Sequence, residues 1–247
     1  WSNMPNALTS SSSTTQINAV AQLMHHIGVA VEMDYSPQSS GAYTVNKYRY
    51  WGYASAEDAL IHYFKYSPML HHISLEDYTT ASWTAVLINE FDNNRPVLYS
   101  GRSSSGGHAF ICDGYDNSGL IHLNWGWGGY CDGYYAIGSL NPAPGGIGGN
   151  AVSSYNIDNT AIIGIQPNPN FGNSTVVNAT SNNNSLGTVS GGGTFTGTNT
   201  STVTLRATAA SGCRFTEWSD GYKCNPRTFP ANGGTYSFTA NFEMLSG

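Results

Sequence analysis

Charge is scarce in this sequence, and the scarcity limits what the protein can bind. Charged residues make up 10% of the 247 residues, the net charge is −6, and lysine and arginine form no cluster. Nucleic-acid-binding domains carry a basic patch or stripe that meets the phosphates. We therefore expect no nucleic acid among the partners.

Long apolar runs and a dense cysteine pattern are missing as well. No apolar run approaches the ~20 residues of a membrane-spanning helix, and four cysteines in a chain of this length do not make a disulfide scaffold. The adjacent histidines His25 and His26 would point about 100° apart on a helix, and His71-His72 lacks cysteine or acidic neighbours at ligand spacing. We predict no membrane span, no metal and no cofactor.

Glycine and aromatic residues, in contrast, are plentiful. The chain has 29 glycines and 13% aromatics, with frequent serine, threonine and asparagine. This composition is common in secreted bacterial proteins, so we expect a secreted or cell-surface protein. No signal peptide is visible, and processing or truncation ahead of Trp1 would account for that.

The chain divides into a mixed part and an all-β part. Two prolines within 166–170 and a change of composition beyond them mark the boundary. We predict one domain over residues 1–167, a linker over 168–173, and a small all-β sandwich-like module over 174–247, where apolar and polar residues alternate. Apolar residues at helical spacing predict helices at about 15–26, 55–67 and 82–91.

The most informative stretch is a predicted β-hairpin over 106–129, which reads GGHAFICDGYDNSGLIHLNWGWGG. Strand-like residues at 108–112 and 120–123 flank a segment rich in turn formers. His108 opens the first strand and Asn124 closes the second, so we expect them to face each other across the ladder. A histidine held by an amide is half of a Cys-His-Asn catalytic unit. A buried polar pair beside an aromatic core is the structural alternative.

The runs GGHAF and NWGWGG within this hairpin closely resemble streptopain-type cysteine peptidases. Other landmarks follow in the family's order: WSNMP at 1–5, AVAQLMHHIGVAVEMDYSPQSSGA at 19–42, RPVLYSG at 95–101 and DGYYAIGSLNP at 132–142. The resemblance covers roughly residues 1–167. It implies an α+β, papain-like fold with helices packed on an antiparallel sheet. His108 would be the general base, Asn124 would orient it, and Trp125 would shield the pair from water.

Several loops are candidates for the substrate side of such a site. The loop at 36–41 matches one that borders the family's cleft, and the serine-rich loop at 101–107 precedes the hairpin. The glycine-rich segment 142–150 is either a cleft lid or a disordered excursion. Val29–Met33 alternates like a short strand, and Met33 fits a hydrophobic subsite and core packing equally well. The expected substrate-binding residues are Met33, Ser39, Ser40, Gly106 and Gly107.

The sequence departs from the family pattern at one decisive point. In the family the nucleophilic cysteine lies on a helix upstream of the stretch that resembles WSNMP, and a glutamine of the oxyanion site is upstream too; no residue precedes Trp1 here. No cysteine of this chain matches a helix N-terminus, where a thiolate is stabilised. We interpret all four as non-catalytic: Cys112, Cys131, Cys213 and Cys224.

We therefore expect a secreted cysteine endopeptidase that cleaves proteins through a Cys-His-Asn mechanism, with this chain supplying histidine and asparagine and inactive alone. Its expected partners are protein or peptide substrates, and a propeptide or a separate N-terminal chain that carries the cysteine. The alternative is an inactive remnant that binds peptides or a propeptide. The retained spacing of His108 and Asn124 argues against a purely structural protein.

The C-terminal module contains GCRFTEWSDGYKCNPRTF at 212–229, which resembles bacterial extracellular repeat modules with an F-x-x-W-x-D-G signature. The resemblance implies that Phe215 and Trp218 are core residues and that the module is accessory, binding a surface or a partner. Cys213 and Cys224 flank a predicted hairpin, and a disulfide between them stays open. With a two-residue turn at Asp220-Gly221, Cys213 would face Thr228 rather than Cys224.

Overall fold

A computed structural model describes residues 2–46, 53–104, 106–142, 154–196 and 201–245. The chain forms two compact units, Trp1–Ala59 and Leu60–Gly247. Most of the predicted cleft lid at 142–150 lies outside the described residues. Within the described ranges, no helix is long and apolar enough to cross a membrane.

In the first unit, helix α1 spans Thr14–Ala30 and begins at a capping box. Ser13 Oγ accepts the Gln16 N–H at 3.3 Å, and Gln16 Oε1 accepts the Ser13 N–H at 3.0 Å. The helix runs four residues beyond its predicted end. Glycine is favoured at position 28 of this helix, because a Cβ there would collide with the Tyr35 hydroxyl.

Helix α1 ends in a Schellman motif. The Met33 N–H donates to the Gly28 carbonyl at 2.8 Å and the Glu32 N–H to the Val29 carbonyl at 3.1 Å, with Glu32 in the left-handed region at φ 50°. The strand predicted over Val29–Met33 is therefore wrong, since its alternating apolar residues form the last helical turn and its cap. The strands of this unit are β1 (Asp34–Tyr35) and β2 (Ser40–Gly41).

The second unit contains a six-stranded antiparallel sheet packed against a helix. Helix α3 buries Trp83 and Leu87 in the core of the sheet, and the Trp83 ring meets Tyr99 edge-on at 5.8 Å. This arrangement confirms the predicted α+β class. Helix α2 (Ala56–His62) contains the boundary between the units. The elements that follow are α3 (Thr80–Asp92), β3 (His71–Ser74), β4 (Val97–Ser103), β5 (Gly106–Tyr115), β6 (Ile121–Asn124), β7 (Gly133–Tyr135) and β8 (Ile157–Ile163), and the strand order is β3-β8-β4-β5-β6-β7.

The predicted hairpin is present as β5 and β6, but the loop predicted over 101–107 is wrong. Most of that segment belongs to the β4–β5 ladder, in which Gly101 pairs with His108 and Ser103 with Gly106. Glycine is needed at position 101, because any Cβ there would press on the Tyr155 carbonyl of the neighbouring chain segment.

The C-terminal strands form two sheets around one core, in agreement with the predicted all-β sandwich. Val203 and Leu205 of one sheet and Phe238 and Phe242 of the other are buried together. The first sheet holds β10 (Gly187–Ser190), β12 (Thr202–Ala209) and β14 (Arg227–Pro230). The second holds β11 (Gly193–Phe195), β9 (Thr175–Ser181), β15 (Gly234–Met244) and β13 (Cys213–Trp218).

The hairpin predicted between Cys213 and Cys224 is wrong. Strand β13 pairs with β15, placing Cys213 opposite Met244, whereas β14 pairs with β12. In the structure no disulfide joins Cys213 to Cys224. Trp218 is fully buried, as the sequence predicts, and the half-buried Phe215 packs against it at 5.4 Å.

Arg227 connects this module to the six-stranded sheet within the second unit. Its buried guanidinium donates to both carboxylate oxygens of Asp220 at 2.8 and 2.6 Å and lies 4.7 Å from the Tyr222 ring centroid. The Tyr222 ring also meets His71 and His72 of β3 edge-on, each at 6.1 Å. The buried guanidinium of Arg227, whose charge Asp220 neutralises, thus holds the Tyr222 ring that packs on the sheet.

Glu90 is a second buried charge, and it ties α3 to the end of β8. Its carboxylate accepts hydrogen bonds from Arg95 Nε at 2.8 Å, from Arg95 Nη2 at 2.7 Å and from the Gly164 N–H at 2.8 Å. Burial raises the pKa of Glu90, but the Arg95 and Gly164 donors lower it more, so the pKa lies below its ordinary value of 4.5.

We predict that Glu90→Ala lowers the free energy of unfolding by about 3 kcal/mol, the low end for a broken buried pair, because the Arg95 side chain is still 19% exposed. Urea unfolding measures this. The native pKa is depressed, so Glu90's contribution is complete above about pH 4.5 and is lost as the pH falls. Arg102→Ala, which breaks an exposed pair with Asp158, is the control and should cost less than about 1 kcal/mol. Equal losses in the two variants would contradict the prediction.

Candidate active site

His108 stands at the open end of a buried row of side chains. Alternation along β5 places His108 on the same face as Phe110 and Cys112, which are buried, and opposite to Ala109 and Ile111, which are exposed. His108 itself is half-buried. The strand therefore presents the imidazole where the core meets the surface.

Aromatic rings surround this imidazole. Trp127 stacks on it at 4.9 Å and an interplanar angle of 25°, and Tyr155 lies at 5.4 Å. Trp125, which is fully buried, lies nearly parallel to the imidazole at 6.1 Å. These apolar walls remove much of the water that would solvate a protonated ring.

The backbone carbonyl of Trp125 sets the tautomer of His108. His108 Nε2 lies 2.8 Å from the Trp125 oxygen. Because a carbonyl oxygen only accepts, Nε2 must carry the hydrogen, and Nδ1 is then the basic nitrogen of the neutral ring. The arrangement provides a base whose other nitrogen is already held by the protein.

The predicted pairing of His108 with Asn124 is wrong. Asn124 lies opposite Ile111 in the β5–β6 ladder, three residues from His108, or roughly 10 Å along the strand. Ile111 and His108 also face opposite sides of the sheet. Asn124 Oδ1 instead accepts the Gly126 N–H at 2.9 Å. Strand β5 extends beyond the end of β6, so the two strand ends do not meet.

Sequence reasoning missed Trp127 and Tyr155, whose rings lie against the imidazole, and it also missed Asp132. Its Oδ1 accepts the Trp125 N–H at 2.8 Å, on the residue whose carbonyl holds His108. An available signal was an isolated carboxylate directly after the glycine-rich turn of a chain that is otherwise poor in charge.

Burial governs the protonation of His108. Desolvation lowers its pKa, and the hydrogen bond to the Trp125 carbonyl raises it by less, so the pKa lies below the ordinary 6.5. Cys112, on the same face of β5, is fully buried, and burial raises the pKa of its thiol well above the usual value. Cys112 is thus protonated and inert, which agrees with its interpretation as non-catalytic.

The residues expected to bind substrate are distributed over the two units. Gly106 and Gly107 are exposed and precede His108 in β5. In the first unit, Met33 is half-buried after α1, and Ser39 and Ser40 are exposed. Ser39 ends a turn and Ser40 follows it. In this turn the Ser39 carbonyl accepts hydrogen bonds from the N–H and the hydroxyl of Ser36 at 2.9 and 2.6 Å. Roles in substrate binding stay predictions for all five residues.

Known proteins resemble both parts of the chain. Residues 1–135 match the family described as Peptidase C10, and residues 175–245 match the Divergent InlB B-repeat domain. Streptopain of Streptococcus pyogenes is 36% identical over 167 residues, which are 68% of this chain and 39% of streptopain. The thiol protease/hemagglutinin PrtT of Porphyromonas gingivalis is 33% identical over 170 residues, 69% of this chain and 18% of PrtT.

One solved structure agrees with these sequence matches. It is the active wild-type interpain A cysteine protease of Prevotella intermedia, with 33% identity, a TM-score of 0.55, and coverage of 67% of this chain and 63% of interpain A. The present chain therefore spans about two fifths of the length of streptopain and under two thirds of the interpain A chain.

We predict that the imidazole of His108 titrates below pH 6.5 in the 247-residue protein, because its aromatic surroundings disfavour the charged form. NMR spectra of ¹⁵N-histidine-labelled protein measure the midpoint. Trp127→Leu removes the stacked ring, admits water and should move the midpoint up toward 6.5. A wild-type midpoint at or above 6.5 would contradict this account of the site.

Proposed function

The chain belongs to the peptidase C10 family of cysteine proteases, and from this premise we propose that it supplies the histidine half of an endopeptidase that cleaves proteins. The observation that carries the proposal is the hydrogen bond between His108 Nε2 and the Trp125 carbonyl. It leaves Nδ1 as the nitrogen that exchanges protons with a cysteine thiol and with the substrate.

The reaction needs a thiol beside His108 Nδ1. Cys112 is buried and protonated, Cys131 packs against the buried core of the sheet, and Cys213 and Cys224 lie in the C-terminal module. We propose that the nucleophilic cysteine lies in a segment beyond these 247 residues, on the same polypeptide or on a partner chain. This agrees with the 39% of streptopain that the chain covers.

Each proton of the proposed reaction passes through His108 Nδ1. Nδ1 takes the thiol proton as sulfur attacks the scissile carbonyl carbon, and it then gives that proton to the leaving amine, forming an acyl-enzyme. Nδ1 next takes a proton from water as the hydroxide attacks the acyl carbon, and it returns the proton to the departing sulfur. While the ring is cationic, the Trp125 carbonyl remains bonded to Nε2 and stabilises the charge.

Asn124 acts, in this proposal, through the backbone rather than through the imidazole directly. Its Oδ1 binds the Gly126 N–H, which belongs to the same peptide unit as the Trp125 carbonyl. The Trp125 ring, together with Trp127, excludes water from His108. Asn124 and Trp125 thus keep roles in the site that differ from the direct Cys-His-Asn contact.

An inactive remnant that binds peptides or a propeptide is the second candidate, and the lack of a suitable thiol among the described cysteines favours it. The C-terminal module would serve either function as an accessory binding domain. Secretion to the cell exterior completes the proposal and rests on composition.

In the active protease, meaning these residues together with a cysteine-bearing segment, we expect His108→Ala to lower kcat/KM by about 10³-fold, within the range for a lost general base. A fluorogenic peptide assay measures this. His122→Ala is the control, since His122 pairs with Asp113 through Nδ1 at 2.5 Å, away from Trp125, and should change kcat/KM less than about twofold. Activity of His108→Ala within tenfold of wild type would overturn the proposal.

The 247-residue chain by itself should not cleave proteins, because no described cysteine is placed to form the acyl-enzyme. Casein digestion, with and without a thiol-blocking reagent, measures this on protein of verified intact mass. Adding the cysteine-bearing segment should restore cleavage that the reagent abolishes. Reagent-sensitive turnover by the chain alone would show that one of its own cysteines is the nucleophile.

A further inference from the structure

We propose that Asp132 is a positioning residue that holds the backbone of Trp125 and thereby fixes the tautomer and orientation of His108. Its effect on catalysis rests on the proposed function, whereas its effect on His108 does not. The inference concerns a carboxylate that touches neither the imidazole nor the reacting atoms, and that acts through one intervening residue.

Trp125 is held at both of its backbone polar groups. Its N–H donates to Asp132 Oδ1 at 2.8 Å, and its carbonyl accepts from His108 Nε2 at 2.8 Å. Only the Cα of Trp125 separates these two groups. Hydrogen bonds to a carboxylate are among the stronger ones in proteins, so Asp132 restrains the position from which the carbonyl reaches His108.

The turn that follows Trp125 cannot provide this restraint by itself. Three glycines of this turn have a left-handed backbone, with φ of 75° at Gly126, 65° at Gly128 and 88° at Gly129. Glycine backbone has more conformational freedom than that of any other residue, so these positions restrain the turn weakly. Asp132 stands where the turn returns to the sheet, next to Gly133, which pairs with Leu123 of β6. Asp132 therefore adds a side-chain hydrogen bond from the end of the loop to its first residue, beside the ladder that pairs Gly133 with Leu123.

Asn124 restrains the peptide unit that contains the Trp125 carbonyl, whereas Asp132 restrains the peptide unit that contains the Trp125 N–H. The Gly126 N–H that binds Asn124 Oδ1 at 2.9 Å shares a peptide plane with the Trp125 carbonyl. A hydrogen bond to the N–H of a peptide polarises its oxygen and strengthens it as an acceptor. Asp132 and Asn124 thus hold the two peptide units that meet at Trp125.

The tautomer of His108 is the readout, because loss of bulk stability alone would not change it in protein that remains folded. Long-range ¹H–¹⁵N spectra of ¹⁵N-histidine-labelled wild-type protein, recorded above the midpoint of His108, should show Nε2 protonated and Nδ1 unprotonated. Asp132→Ala should convert this to a mixture of the two tautomers. Asp132→Asn retains an oxygen acceptor and should restore most of the wild-type pattern.

Asp113→Ala is the matched control. Asp113 is another carboxylate of the same sheet and binds His122 Nδ1 at 2.5 Å. Its removal should change the His122 signals and leave those of His108 unaltered, while Asp132→Ala should do the reverse. Unaltered His122 signals in Asp132→Ala also verify that the sheet remains folded.

A wild-type measurement covers the case in which Asp132→Ala does not fold. The Trp125 amide should be protected from hydrogen exchange at least tenfold more than the amide of the exposed Gly128. A Trp125 amide that exchanges as fast as the Gly128 amide would overturn the inference, as would an unchanged His108 tautomer in folded Asp132→Ala.

In the active protease, Asp132→Ala should lower kcat by about 10²-fold and change KM by less than threefold in either direction, because a misplaced base slows chemistry rather than binding. Asp132→Asn should recover most of kcat. If His108→Ala abolishes cleavage but Asp132→Ala changes neither tautomer nor kcat, only the positioning inference fails. If the tautomer responds to Asp132→Ala but His108→Ala leaves cleavage intact, the proposed function fails and the positioning role stands.

Discussion

The hydrogen bond from His108 Nε2 to the Trp125 carbonyl is the constraint on which the rest of the site depends. It joins β5 to the residue that follows β6, so it requires both strands in their observed register. A backbone carbonyl cannot turn away as a side-chain amide can, because its direction belongs to the chain. The orientation of the base is thus a property of the sheet and of the turn beyond it.

The surroundings of His108 balance two opposing demands. The stacked ring of Trp127 and the tilted ring of Tyr155 exclude water and favour the neutral imidazole. The carbonyl of Trp125 partly offsets this, since its lone pairs stabilise the imidazolium that a proton transfer creates. The site can therefore hold a neutral base at rest and still accept a proton during a reaction.

A chain with 10% charged residues buries Glu90 and Arg227 and keeps Asp132 half-buried. Glu90 ties α3 to β8, Arg227 holds the aromatic contact between the module and β3, and Asp132 holds Trp125. Each has donors or acceptors in fixed positions, which is the condition under which buried polar groups become tolerable. These few charges act at junctions between elements, where apolar packing alone would specify geometry less well.

The sequence by itself determined what local pattern can determine: α3 from its apolar spacing, the hairpin from its turn formers, the alternating strands of the module, and His108 as the residue around which the site is built. Tertiary structure decided which groups meet. Asn124 was mispaired because the turn formers at 113–115 belong to β5, which continues to Tyr115 and pairs there with Ile121, and this register leaves Asn124 opposite Ile111. Cys213 was mispaired because β13 selects β15 as its partner through long-range packing of the core. The sequence shows Asp132 as a carboxylate after a glycine-rich turn, but its partner, the Trp125 N–H, was decided only when folding returned the end of that turn to its beginning.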